Sequence, residues 1–213
     1  LATRWKAENQ LEKLRLYMVF LLTQRGSVCL YQGEELGLTE AELTFGQLVD
    51  PAGITFWPAY KGRDGCRTPH PWQADAKQAG FSTTTPWLPV PRSHLALSVD
   101  QQERDADSLL NAYRDFLAFR RCQAPLVKGD ITYHPVRASV MCFERDYQQT
   151  RLLIALNFSD QPASLNAPSG SEALADVPQW ISGEWRNGQL SLPPYGIGIA
   201  RCDATAEEAS WVV

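Results

Sequence analysis

Basic charge is in short supply in this sequence. Lys and Arg together number 20 against 24 Asp and Glu, a formal net charge of -4, which leaves no basic surface on which to hold nucleic acid. Long apolar runs are lacking as well. The longest, near LRLYMVFLLTQ, is interrupted by Arg15, ends at Gln24 and is too short to span a bilayer, so neither a membrane partner nor a signal peptide is expected. The cysteines, Cys29, Cys66, Cys122, Cys142 and Cys202, are odd in number and scattered. They form none of the close pairs that zinc sites and redox motifs need and read as reduced thiols of a cytoplasmic protein. The only histidines, His70, His94 and His134, stand too far apart, and with too few Cys or carboxylate neighbours, to suggest a metal site. No Gly-Xaa-Ser-Xaa-Gly turn occurs, which leaves serine hydrolysis unsupported. An initial methionine is missing too: Leu1 leads almost at once into a helical pattern, and the sequence reads as a piece of something longer.

What is present is a globular composition, 44% hydrophobic and 21% charged over 213 residues, enough for one large domain or two modest ones. From 8 to 25, Leu11, Leu14, Tyr17, Met18, Leu21 and Leu22 recur at spacings of three and four, which predicts a helix with a broad buried face. Gly26 ends it. SVCLYQG follows directly, an apolar run that predicts a strand buried on both faces, as in a parallel sheet covered by helices. Residues 33–97 show no long period and read as one extended functional loop. A second helix is expected at 107–123, with Asp105 or Asp107 accepting from its first amides, an apolar side of Leu109, Leu110, Tyr113, Phe116 and Leu117, and Arg120 and Arg121 near its negative end. APLVKGD breaks that pattern. Beyond it the period becomes two: ITYHPV, SVMCFERD, RLLIALNFS, GEWRNGQLSL and YGIGIAR are expected strands, separated by turn residues such as Asn187-Gly188. The domains are therefore placed at 1–127, α/β, and 128–213, all-β, with a tail, TAEEASWVV, of unassigned order.

Two features invite chemistry. Adjacent Glu34 and Glu35 suggest an acid/base pair, but neighbours leaving a strand point in opposite directions, whereas a retaining glycosidase needs carboxyls converging to roughly 5 Å; a structural role at the mouth of the sheet is favoured. The loop KGRDGCRTPHPW frames Arg63, Asp64 and Arg67 with Gly62, Gly65, Pro69 and Pro71. Fixed guanidinium groups donate directed hydrogen bonds to hydroxyls and carboxylates, and Trp57, Trp72 and Trp87 offer apolar faces suited to sugar rings. A surface loop held by internal Arg-Asp pairs is the competing reading.

YQGEELGL at 31–38, DPAGITFWP at 50–58, KGRDGCRTP at 61–69 and AGFS at 79–82, in that order, resemble the final third of an α-amylase superfamily enzyme, an α-glucosidase or oligo-1,6-glucosidase of glycoside hydrolase family 13. The resemblance covers nearly the whole chain. It implies the C-terminal portion of a (β/α)8 TIM barrel followed by an antiparallel β-sandwich, with SVCLYQG as the eighth strand and 33–97 as the substrate loop after it. It also implies what is absent. The nucleophilic aspartate, the acid/base glutamate and the stabilising aspartate of the family all lie upstream of Leu1, so no catalytic residue is expected here. Arg63 carries over as a sugar-binding residue and Arg67 as a brace of the loop, with Glu34 near the pocket. His70 stands where relatives usually have methionine, which bears on contacts to the aglycone. The expected partners are a small α-glucoside or oligosaccharide and the missing N-terminal part of the barrel. No cofactor is expected in this segment, with a structural calcium left open for the missing N-terminal part. Alternatives on the same scaffold are trehalose or isomaltulose synthesis and sucrose cleavage. Of other classes, a non-catalytic amylase-like transporter subunit and a free-standing sugar-binding module remain.

Overall fold

The computed structural model describes residues 2–136, 139–166, 168 and 170–203; the tail TAEEASWVV lies outside them. The chain forms two compact units. One comprises Leu1–Gln10 with Leu30–Asn111, the other Leu11–Cys29 with Ala112–Val213. The division at 127/128 followed the change of periodicity, whereas packing groups the helix at 11–23 and most of the helix at 109–122 with the strands.

The second unit is a layer of helices over two sheets. Helix α1 spans Leu11–Thr23. The first unit contributes three short helices, α2 at Pro51–Thr55, α3 at Arg92–Leu95 and α4 at Val99–Arg104. Then come α5 at Leu109–Cys122 and α6 at Ala124–Lys128. Eight strands follow: β1 Asp130–Tyr133, β2 Val140–Tyr147, β3 Thr150–Asn157, β4 Ala163–Asn166, β5 Ser171–Ala173, β6 Glu184–Arg186, β7 Gln189–Leu192 and β8 Ile197–Asp203. All pairings are antiparallel among the described residues, in a five-stranded sheet β1-β2-β3-β8-β5 and a three-stranded sheet β4-β7-β6.

Strand β3 explains the layering. Leu152 to Asn157 are buried in succession, which an antiparallel strand tolerates only when both its faces are covered. Leu153 and Ala155 join Val140, Cys142, Ala200 and Cys202 against Leu165, Leu190 and Leu192 of the smaller sheet, forming the core between sheets. The alternate side chains, Leu152, Ile154 and Leu156, point to the opposite face, and α1 and α6 pack on β3. Asn187 and Gly188, with φ of 50° and 75°, supply the left-handed pair that a tight hairpin between β6 and β7 requires.

One buried charge ties helix to sheet. Arg145, 1% exposed, donates from Nη2 to the Gly129 carbonyl (2.8 Å), from Nε to that of Asp130 (3.2 Å) and from Nη1 to those of Thr23 and Gln24. Carbonyls left unpaired at the end of α1 are thereby satisfied by a cation, which also suits the helix dipole.

Several expectations need correction. The run SVCLYQG forms no ladder among the described residues, and 27 and 29–32 are exposed rather than buried; a parallel strand has no hydrogen-bonding partner of its own and requires neighbouring strands on both edges. In α1 the fully buried positions are Leu16, Met18, Val19, Leu22 and Thr23, while Leu11, Tyr17 and Leu21 are only half-buried. APLVK is helical, since Pro125 sits in the first turn, where its missing N–H costs nothing. The first amides of α5 meet a hydroxyl as well as a carboxylate: Ser108 Oγ accepts from Asn111 N–H (3.2 Å), and Asp105 Oδ1 from Asp107 N–H just before it (3.0 Å). Strands β4 and β5 were not foreseen; they are short and polar, with too few apolar positions to reveal a period of two.

Candidate functional site

The loop 33–97 lies wholly within the first unit and is built from single turns. Short 3-10 turns occur at Glu34–Leu36, Phe45–Gln47, Asp64–Cys66 and Lys77–Gly80, with α2 and α3 between or after them. Side-chain carboxylates do the work that a sheet ladder does elsewhere. Asp64, fully buried, accepts through Oδ2 from the amides of Val49 and Asp50, both at 2.7 Å. Asp50 caps α2 by accepting from Ala52 N–H (3.0 Å), and its second oxygen takes the Arg63 N–H (2.9 Å). The Asp50 carboxyl is held below the usual carboxylate range, chiefly by that bond from Arg63. Gly62, at φ 74°, permits the close approach, since a Cβ there would meet the Asp50 side chain at 2.9 Å.

This scaffold fixes the arginines. Arg67 lies 3.8 Å from Asp50 and 4.0 Å from Asp64. Arg63 is exposed and carries no side-chain ion pair among the described residues. Both line a cavity of about 980 Å³. Glu34, His70 and Trp87 line it too, whereas Asp64, Trp57 and Trp72 are not part of its lining. Trp87 is 65% exposed. Trp57 instead packs on Phe45 and on the Leu43–Leu48–Leu88 cluster, and Trp72 stacks on His70, ring centroids 4.7 Å apart.

Glu34 and Glu35 diverge. Glu35 accepts from Gly33 N–H (2.8 Å) and from His70 Nε2 (2.9 Å), whereas Glu34 Oε2 lies 3.4 Å from the Tyr31 amide. Burial works to raise the Glu35 carboxyl, but hydrogen bonds from His70 and from backbone amides outweigh it and hold the group below its ordinary value. The pair therefore offers no two carboxyls converging on one bond. Sequence reasoning missed Glu35 as the partner of His70, and it missed Trp5 and His94 on the cavity wall. His94 is 1% exposed and donates to the Thr39 carbonyl (3.0 Å); nothing in the pattern around it marks it as buried. Among the described residues no three His, Cys, Asp or Glu gather as a metal site. Chemically, the wall supplies directed donors and apolar ring faces for a polyhydroxylated ligand, and no acid/base pair.

A model of the α-amylase catalytic domain matches residues 1–129, and one of the maltogenic amylase C-terminal domain matches residues 132–199. The chain belongs to the α-amylase family, glycoside hydrolase family 13: residues up to 129 correspond to the C-terminal part of its (β/α)8 barrel, and the β-sandwich follows. Among curated relatives, a probable α-glucosidase of Rhizobium meliloti (strain 1021) is 42% identical over 187 residues, 88% of this chain and 34% of that protein. Of solved structures, the α-glucosyl transfer enzyme XgtA is 44% identical with a TM-score of 0.85, covering 92% of this chain and 36% of the other. The trehalulose synthase MutB of Pseudomonas mesoacidophila MX-45 is 25% identical with a TM-score of 0.75, covering 89% and 38%. The chain thus spans about a third of the length of the relatives it matches.

Proposed function

We propose that this chain is the C-terminal part of a retaining, exo-acting α-glucosidase that releases glucose from short α-glucosides, with its barrel portion at 1–127 and its β-domain at 128–213. The carboxylates of the double displacement lie in the N-terminal part of the barrel, the first partner this segment requires. Arg63 binds the sugar in the innermost subsite, Arg67 braces the loop, and Glu34 and His70 stand at the pocket wall. The observation that carries the reading is Arg63, whose guanidinium has no ion pair among the described residues and whose backbone is held on Asp50, on the wall of a cavity that also presents Trp87. Free thiols at every cysteine agree with a reducing cytoplasm. No helix of the described residues is long and apolar enough to cross a membrane.

Glucosyl transfer to an acceptor other than water is the second reading, favoured by the 44% identity with an enzyme described as α-glucosyl transferring. One assay addresses both. In an enzyme carrying this segment at the relatives' full length, Arg63→Ala should lower kcat/KM for 4-nitrophenyl α-glucoside by about a hundredfold, since a polar contact tightened at the transition state is lost. Turnover unchanged in a folded variant sinks the role of Arg63. Glucose released in step with nitrophenol identifies hydrolysis, and glucose falling short of it identifies transfer.

A further inference from the structure

Two segments that contribute to the cavity wall of the first unit, 31–36 and 63–70, are cross-linked at two points. Tyr31 donates its hydroxyl to the Cys66 carbonyl at 3.3 Å, and His70 donates from Nε2 to Glu35 Oε1 at 2.9 Å. The first link is exposed. The second is sheltered, with His70 5% exposed and its ring stacked on Trp72 at an interplanar angle of 34°. The other Glu35 oxygen accepts from Gly33 N–H at 2.8 Å. Gly33, at φ 93°, opens the 3-10 turn that carries Glu34. A continuous chain of hydrogen bonds therefore runs from the end of the arginine loop to the turn on the facing wall.

We propose that His70 is a positioning residue, which through Glu35 sets the Gly33–Glu34 turn against the Arg63–Arg67 loop and so fixes the width of the pocket. Its Nδ1 is buried without a partner among the described residues, closed off from solvent, so the ring acts through the nitrogen bound to Glu35. Glu35 remains ionised well into the acid range, because its hydrogen bonds offset the effect of burial, and it accepts from the imidazole whether that ring is neutral or charged. The consequence for turnover rests on the glucosidase reading; the consequence for the turn does not.

The test pairs His70→Gln with His70→Asn in the full-length enzyme, since the Gln amide nitrogen reaches the place of Nε2 and the shorter Asn amide does not. His70→Asn should raise KM for 4-nitrophenyl α-glucoside about tenfold with kcat within about threefold, the loss of one hydrogen bond to a charged group, and His70→Gln should restore it. Amide exchange of a peptide covering 31–36 should accelerate about tenfold in His70→Asn and stay near the parent in His70→Gln. Should His70→Asn not fold, Glu35→Ala is expected to give the same accelerated exchange and raised KM, and parental values for both would overturn the proposal. Equal effects of Gln and Asn on KM without a change in exchange would also overturn it, and would mean that the ring touches the ligand directly. An enzyme that cleaves no α-glucoside would refute the glucosidase reading while the exchange comparison still decides the role of His70.

Discussion

The two units are held together by different physics. In the second, apolar side chains between two sheets and a helix layer do most of the work, with ladder bonds along β1-β2-β3-β8-β5. The first has small apolar clusters such as Leu43, Leu48 and Leu88 and relies on polar side chains bonded to backbone. Asp64 anchors 49–50. Asp100 accepts from Ser98 Oγ (2.6 Å) and Ala74 N–H (3.0 Å), and Gln102 donates to the carbonyls of Leu36 and Leu97, both at 2.9 Å, while accepting from Leu110 N–H (3.0 Å). Burial is nondirectional and gives bulk stability. Hydrogen bonds are directional, and each buried one must be complete or it costs. On the proposed function, the region that presents Arg63 and Trp87 to a ligand is fixed by the second kind of force, and is more vulnerable to single polar substitutions.

The largest test of this contrast is hydrogen exchange on the 213-residue chain. Segment 27–31 has no strand partner among the described residues, whereas 152–156 is paired on both sides by β2 and β8. Amides of 152–156 should exchange at least about a thousandfold more slowly than those of 27–31, because their opening requires loss of the whole sandwich. Comparable protection would mean that the apolar run SVCLYQG is self-sufficient, and the description of it as a barrel strand awaiting neighbours would fail.

That segment also shows where the sequence could be read and where it could not. The helical period at 8–25, the alternation after Asp130 and the Asn187-Gly188 turn announce α1, the main strands and one hairpin, because each depends on local pattern. The cavity residues Arg63, Arg67, Glu34 and His70 were legible from motifs whose glycines and prolines limit the backbone. Strand pairing at 27–31 depends on other chain, which no local pattern encodes. The bond between Glu35 and His70 was not foreseen because the two residues are distant in sequence, and the burial of Arg145 because a lone arginine in a strand with alternating charge reads as solvent-facing. Its burial follows only from helix α1 ending above it.

Arg145 provides the next test, on the apolar unit itself. Arg145→Met keeps the bulk of the side chain and removes the donors, taking a charged partner from the buried carbonyls of Thr23 and Gly129 and the part-buried ones of Gln24 and Asp130. Unfolding of this unit should be easier by about 3 kcal/mol, the scale of losing one side of a buried charged network, read as a lower urea midpoint with an unchanged slope. If Met is neutral or stabilising, apolar packing alone suffices there and the polar clamp contributes orientation only.

The smallest effect belongs to His94 and separates the units by pH. Burial disfavours its charged form and pulls the imidazole below its ordinary 6.5, while the bond to the Thr39 carbonyl opposes that shift without cancelling it. In the unfolded chain the same ring takes up its proton near the ordinary value. Between the folded and unfolded values the unfolded state holds more protons, so stability falls as pH drops through 6.5 and ceases to fall on this account once the pH is below the folded value. His70 beside Glu35 and His134 beside Glu144 are common to the parent and a His94→Gln variant, whose amide nitrogen can still donate to Thr39. Urea midpoints measured from about pH 7.5 to about pH 5 should decline less steeply in His94→Gln than in the parent. Amide exchange around Thr39 should register the difference while 152–156 does not. Parallel curves would show that His94 titrates alike in both states, and a difference spread equally over both regions would show that the two units unfold as one.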